Sequence, residues 1–550
     1  MRQLELHVSP DRGWTEVDGR YVWGNVFRDD ELFEGRRLAD LFGGSLTWKR
    51  FRSIVSTLNG KFAVVAPTES RVFAAVDRWQ SRPLFYSHDA ETVAISDDPG
   101  WLRDARDDHA IDEVSAAEYR RSTFVSGEHT LAPSLKQLQT AELLAARDGD
   151  GGPRVETDRY YRFADRETRD WNESTVLERY DAVLDRVFGR LADFADGRPI
   201  AISLSCGHDS RLLAVKLREL DYPDLYAFSY ARSGEDRVAR EIADSLDIEF
   251  EQVPLSHEEI AEWYDSDDRR QFDSASGIED SVPIYWLTVV IQKLRRETAI
   301  PPDAVIVTGD GAHTMASHLP QEFAIADSVT RTEFVDAILD VNHVPLRVES
   351  RVEDAIRRRI LDALPSGLFE SKTTEPASEV VPAFEEWDWQ ERQAKVIRSN
   401  FVYEYCGYDC WFPLKDNEYM DFWRTVPLRH REDKAFHRTY VERKYGELTG
   451  MDSVKSTFEP MPDWLWYVNR TVGELPVVGP VGRSLYYRLF EDSADYKPMY
   501  GMLDEREFER TLDELPLDDE EVHSLTPRHL HAQHLLDEYN PPRRELTLSE

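Results

Sequence analysis

The chain has 550 residues, with 105 acidic against 67 basic side chains and a net charge of −38. That length implies two or more domains, and an acidic excess spread along the whole chain excludes nucleic acid and anionic membrane as partners while suiting a cytoplasm of very high salt. Cys206, Cys406 and Cys410 make neither a disulfide framework nor a zinc site, and the absence of an apolar leader or bilayer-length run predicts a soluble, cytoplasmic protein.

Residues 1 to about 145 read as β-rich, with short apolar runs at Tyr21–Trp23, Lys61–Val65, Val72–Val76 and Thr92–Ile95 separated by polar turns. The stretch RDGDGGP, Arg147 to Pro153, is the expected linker. Thr175 to Phe194 carries a helical stripe of Leu177, Tyr180, Leu184, Val187 and Leu191.

Pro199 to Leu220 then reads as strand, small-residue turn and helix. This geometry aims backbone N–H groups and a helix N-terminus at one point, which suits phosphate. Ser205 and Ser210 add hydroxyls, Gly207 allows close backbone approach, and Asp209 could serve a pyrophosphate-bound Mg²⁺. An ordinary βα turn is the plainer alternative. Strands at Leu225–Tyr230 and Glu249–Val253, with a helix at Gly234–Leu246, extend this into a doubly wound parallel sheet. Ligands of such sheets sit at strand carboxyl ends, where Leu204, Ser205 and Tyr230 fall.

Ile284–Arg295 reads as a buried helix, and the apolar strand Ala304–Val307 runs into a second glycine-rich turn, Thr308-Gly309-Asp310-Gly311. Two such turns, each with an aspartate, can converge on one nucleotide. Residues 320 to 400 read as helical, with Gly367 and Lys372–Pro382 as an expected loop or lid. A helix at Lys434–Leu448 precedes Lys455-Ser456-Thr457-Phe458, and an acidic helix is expected at Glu505–Leu515.

In order, these motifs resemble the asparagine synthetase family. Ser205–Ser210 is similar to its S-G-G-x-D-S pyrophosphate loop, with Cys206 in place of the first glycine. Leu58–Ala63 and Asp77–Tyr86, followed by Ser96-Asp97, resemble its N-terminal glutaminase. Thr308–Ala312 resembles its S-G-E-G stretch, with His313 and Thr314 replacing an acidic pair, and Trp411–Leu414 and Lys455–Phe458 resemble R-x-P-F-L-D and K-x-x-F. His313 is equally open as a phosphate ligand or a helix cap.

The resemblance implies an α/β chain: a degenerate glutaminase-like, Ntn-hydrolase-like (class 2 amidotransferase-like) domain at 1–150, and an ATP pyrophosphatase (adenine nucleotide alpha hydrolase-like) synthetase domain at 165–550. It implies ATP and Mg²⁺ as cofactors. Leu204, Ser205, Gly207, Asp209, Ser210, Tyr230, Thr308 and Gly309 would hold ATP or pyrophosphate, Asp209 the metal, and Lys455 and Asp310 would be catalytic. The family's nucleophile is a cysteine at position 2; Arg2 stands there, so Asn59, Gly60 and Asp97 would be a vestigial glutamine site without activity. The implied reaction joins a carboxylate, by default aspartate, to ammonia or an amine through an acyl-adenylate. A sugar acid as acceptor, a degenerate nucleotide-binding protein without turnover, and a homodimer stay open.

Overall fold

The computed structural model describes residues 4–9, 12–149, 152–163, 172–230, 235–312, 319–343, 346, 348–365, 367–396, 398, 400–431, 434–451 and 527–539. The N-terminal strands are β1 (Leu4–His7), β2 (Thr15–Val17), β3 (Arg20–Arg28), β4 (Glu31–Glu34), β5 (Asn59–Pro67), β6 (Arg71–Val76), β7 (Phe85–His88), β8 (Val93–Ser96), β9 (Lys136–Gln137), β10 (Glu142–Gly149) and β11 (Gly152–Arg159). They form a four-stranded sheet, β1-β8-β7-β9, and a larger one with the path β11-β10-β6-β5-β3-β2, where β4 also pairs with β3. Strand alternation gives the larger sheet two apolar faces. Trp23, Ala63, Val65 and Ala74 pack on Tyr86, Val93 and Ile95 of the smaller sheet. Val22, Val26, Phe62 and Phe73 pack beneath Leu38 and Phe51 of two short helices.

The expected linker is instead a hairpin. β10 and β11 pair antiparallel up to Gly149 opposite Gly152, so the glycines serve a turn and the antiparallel sheet continues to Arg159.

The third sheet is wholly parallel. It comprises β12 (Ile200–Ser203), β13 (Leu225–Ser229), β14 (Glu249–Gln252), β15 (Val305–Val307) and β18 (Asp409–Trp411), in the order β14-β13-β12-β15-β18. Its strands are short apolar runs because both faces are covered. Ile200, Ile202, Val305 and Val307 face the helices Glu173–Ala195, His208–Glu219, Glu235–Ser245 and Ala435–Thr449. Ala201, Phe228, Ile306 and Cys410 face the other way, toward the helices Tyr285–Glu297 and Asn400–Tyr405. On the long Glu173–Ala195 helix the expected Tyr180, Leu184, Val187 and Leu191 are fully buried, and only at its start does Val176 replace the partly buried Leu177.

The expected lid at 372–382 is pinned rather than loose. β17 (Thr374–Pro376) pairs with β16 (Ser328–Thr330), and a helix starts at Ala377. A helix at Pro527–Tyr539 had no sequence expectation; its Ala532, Leu535 and Leu536 join the apolar cluster behind the parallel sheet. The expected helix at 505–515 lies outside the described residues. No helix among the described residues is long and apolar enough to cross a membrane, and all three cysteines are free.

Candidate nucleotide-type site at the switch point

The chain leaves β12 for β13 and β14 on one side, then returns to β15 on the other side of β12. The crevice between the carboxyl ends of β12 and β15 is therefore where the winding direction reverses, the place an open parallel sheet leaves for a ligand. Both glycine-rich turns lie there. They touch: a Cβ added at Gly309 would stand 3.0 Å from Asp209 Cβ and 3.3 Å from the Ser210 backbone nitrogen.

The first turn is tightly self-bonded. Ser205 N–H donates to Ser210 Oγ at 3.0 Å, the two serine hydroxyls are 3.0 Å apart, and Gly207 N–H donates to Ser205 Oγ at 3.1 Å. Gly207 is the N-cap of the His208–Glu219 helix with no side-chain cap, so the first-turn N–H groups lack an intrahelical acceptor. Cys206 is 6% exposed and sits in the apolar core, which explains why a side chain is accommodated there. Leu204 is also core; its N–H donates to the Phe228 carbonyl at 2.9 Å, so packing is its observed role.

Asp209 does not stand bare for a metal. Lys434 Nζ lies 2.8 Å from one carboxylate oxygen and His437 Nε2 3.0 Å from the other. The far ring nitrogen of His437 is 2.9 Å from the Tyr180 hydroxyl, which fixes the fully buried ring. Burial pushes the Asp209 carboxyl up, but the His437 bond and the Lys434 charge outweigh it and hold the group well below the usual carboxylate range. Lys434 has a left-handed φ of 55° just before the Ala435–Thr449 helix, and this turns it toward the crevice. The helix is tied down further along: Lys444 pairs with Glu219 at 2.9 Å and Asp181 at 3.0 Å. No group of three or more His, Cys, Asp or Glu suited to a metal occurs among the described residues. With Lys434 at one Asp209 oxygen and His437 at the other, the carboxylate expected to hold magnesium is already engaged by side chains.

In the second turn, Thr308 Oγ1 accepts the Asp310 N–H at 3.3 Å. Gly311 has φ +102°, and a Cβ there would fall 2.5 Å from the Leu414 carbonyl oxygen, so glycine is required. Leu414 belongs to the short turn Pro413–Lys415 after β18. Lys415 is half-buried, its Nζ 4.5 Å from the Phe412 ring centre. Burial lowers its pKa, opposed first by the Asp310 charge. Lys415, Lys434 and His437 are the residues that sequence reasoning passed over. Lys434 was visible only as a helix start, and its partner lies 225 positions away.

Tyr230 lies just past β13 with its ring 5.1 Å from Trp286, packed against the apolar cluster. His313, Thr314 and Lys455 lie outside the described residues.

The expected glutamine-site residues are separate and engaged. Asn59 Nδ2 donates to Asp416 at 3.0 Å, and Asn59 Oδ1 accepts the Asn417 N–H at 2.8 Å. Gly60 has φ +137° and lies against the Asn25 carbonyl. Asp97 accepts Ser9 N–H at 2.8 Å and Trp14 Nε1–H at 2.9 Å. Asn59 thus joins the antiparallel sheet to the helix after β18, and Asp97 fastens the N-terminal segment.

No family model and no curated protein matches the chain. Among solved structures, glutamine phosphoribosylpyrophosphate amidotransferase from B. subtilis, complexed with ADP and GMP, aligns at 12% identity and a TM-score of 0.18. The alignment covers 55% of this chain and 58% of that one, little more than half of each, and the likeness is too low to carry an argument. What stands on the coordinates themselves is a mixed α/β protein with antiparallel sheets and one parallel sheet whose two glycine-rich turns meet at the switch point.

Proposed function

We propose that the chain is an ATP-dependent amide-forming ligase of the asparagine synthetase kind, with a glutaminase-like N-terminal unit that no longer hydrolyses glutamine. The observation that carries this reading is the contact of the Ser205–Ser210 and Thr308–Gly311 turns across the switch point, with Lys434 reaching in. A carboxylate oxygen attacks the α-phosphorus of ATP, the bond to the β-phosphate oxygen breaks, and pyrophosphate leaves. Ammonia or an amine then attacks the acyl carbon, loses a proton, and AMP departs.

The residues' part is positional and electrostatic. The unfilled first-turn N–H groups face the phosphates, and the serine hydroxyls exchange their mutual bond for phosphate oxygens. Lys434 supplies the positive charge that a metal at Asp209 would have supplied, and no step is routed through magnesium. Asp209 acts through Lys434 as its positioning residue. Lys455 is a second candidate cation by motif alone.

The test is ATP–pyrophosphate exchange with aspartate and a panel of carboxylates, sugar acids included, in molar KCl. Exchange that depends on one acid supports the ligase. The second reading, a nucleotide binder without turnover, is favoured by the closed Ser205–Ser210 hydroxyl pair; it predicts ATP binding by calorimetry with no exchange. Absence of ATP binding overturns both.

A further inference from the structure

Away from that crevice, a cavity of about 1450 Å³ opens between the N-terminal sheets and the Asp267–Ser276 and Asn400–Tyr405 helices. Drug-sized ligands occupy cavities of roughly 300–1,000 Å³, so the space is ample. Arg12, Lys61, Arg82 and Arg270 line it together with Glu34, Asp98, Asp267, Glu404 and Asp409. Lys61 and Arg82 line it and share one carboxylate, Glu404, at 2.8 Å and 3.2 Å. Arg82 is 4% exposed, and its Nε has no hydrogen-bond partner among the described residues. The Arg82 guanidinium lies 4.6 Å from the Trp23 ring centre and 5.6 Å from that of Phe401, so flat apolar rings flank it.

The acids that line the cavity are otherwise occupied. Asp267 pairs with Arg270 at 2.7 Å, Asp98 caps the helix after β8, Glu34 accepts from Asn25 at 2.7 Å, and Asp409 pairs with Arg198. Buried Arg82 and half-buried Lys61 therefore share one contacting carboxylate, on a chain whose net charge is −38. An incoming carboxylate would give these two cations a second acceptor beside Glu404.

We infer that this cavity binds an organic carboxylate with a flat apolar or aromatic body, its carboxylate on Arg82 and Lys61 and its body against Tyr405. The inference is independent of the ligase reading, because it uses none of the crevice residues. Walls from both halves of the chain would make such a ligand bridge them.

The experiment is calorimetric titration of the full chain with phenylacetate and, as its neutral counterpart, phenylacetamide, at one fixed KCl concentration. Phenylacetate is expected to bind about tenfold or more tighter than the amide, the worth of a charge-assisted hydrogen bond. Arg82→Gln should erase that preference. Glu404→Gln, which frees both cations, should strengthen phenylacetate binding, a gain that a merely damaged fold cannot give. Equal binding of acid and amide, binding of neither, an unchanged Arg82→Gln, or weaker binding by Glu404→Gln each overturns the assignment.

Discussion

Replacing Lys434 by methionine keeps the length of the side chain and removes its ammonium. Asp209 would then keep His437 Nε2 beside its other oxygen. In the ligase reading, pyrophosphate exchange should fall by about 10²–10³, the usual effect of losing one donor to developing negative charge. ATP affinity should fall less, because that charge grows mainly in the transition state. Parallel exchange and calorimetry check this, and an unchanged exchange rate would remove Lys434 from the mechanism. Gly309→Ala tests the meeting of the two turns. The new methyl would press on Asp209 Cβ at 3.0 Å and on the helix backbone at 3.3 Å, so a loss of roughly 1–3 kcal/mol is expected in urea unfolding. An alanine variant as stable as the parent would mean that the turns do not touch as described.

Among elements, one tie between the antiparallel sheets and the parallel one runs through Asp416. Its carboxylate, fully buried, takes Arg190 at 2.8 and 2.9 Å, Asn59 at 3.0 Å, and the Glu418 N–H at 2.8 Å, where it caps its own helix. Asp416→Ala leaves a buried arginine without its main counter-ion, and such breaks cost about 3–5 kcal/mol. Thermal unfolding should show one lowered transition or two separated ones; a change within error would show that the tie is weak. None of this was legible in the sequence. The strands, the parallel winding and both glycine turns were, because period-two and period-3.6 apolar patterns and turn residues are local signals. Asn59 is the instructive failure: the motif around it was visible, but its bond to Asp416 spans 357 positions. The hairpin at Gly149–Gly152 failed for another reason, since glycine serves a turn and a linker equally well.

For the whole molecule, pH and salt act through buried and surface charge respectively. Burial holds His343 neutral and lowers its pKa to about 3, helped by the nearby Arg121 charge, and both ring nitrogens lack partners among the described residues. The unfolded chain binds a proton there below about pH 6.5 and the native chain does not, so this stability is present above about pH 6.5 and drains away as pH falls toward about 3. Asp77 and Glu279 oppose it. Burial raises them to about 6 and about 7, so native protons are lost and stability declines as pH rises through those values. A stability maximum on the acid side of neutrality is expected, with His343→Leu extending it downward in denaturant titrations across pH. A variant whose acid limb matches the parent's would contradict this. Salt should act in one direction. With a net charge of −38, the melting temperature should rise between 0.1 M and 1 M KCl as the Debye length shrinks from about 10 to about 3 Å. A flat response would count against the high-salt origin inferred from composition.

The placement of Asp416 also sets a timetable. On the ribosome, the N-terminal sheets are complete once Arg159 has emerged, yet Asn59 and Arg190 must wait for an acceptor made much later. Domains generally fold as units, N-terminal first, during synthesis. Here the Asp416 bonds of Asn59 and Arg190 cannot form until the residues just beyond β18 are translated, although Val125 and Leu131 can already bond to Asp280 and Glu279. A nascent chain stalled before Glu404 would hold Lys61 and Arg82 without their shared carboxylate and Asn59 without Asp416.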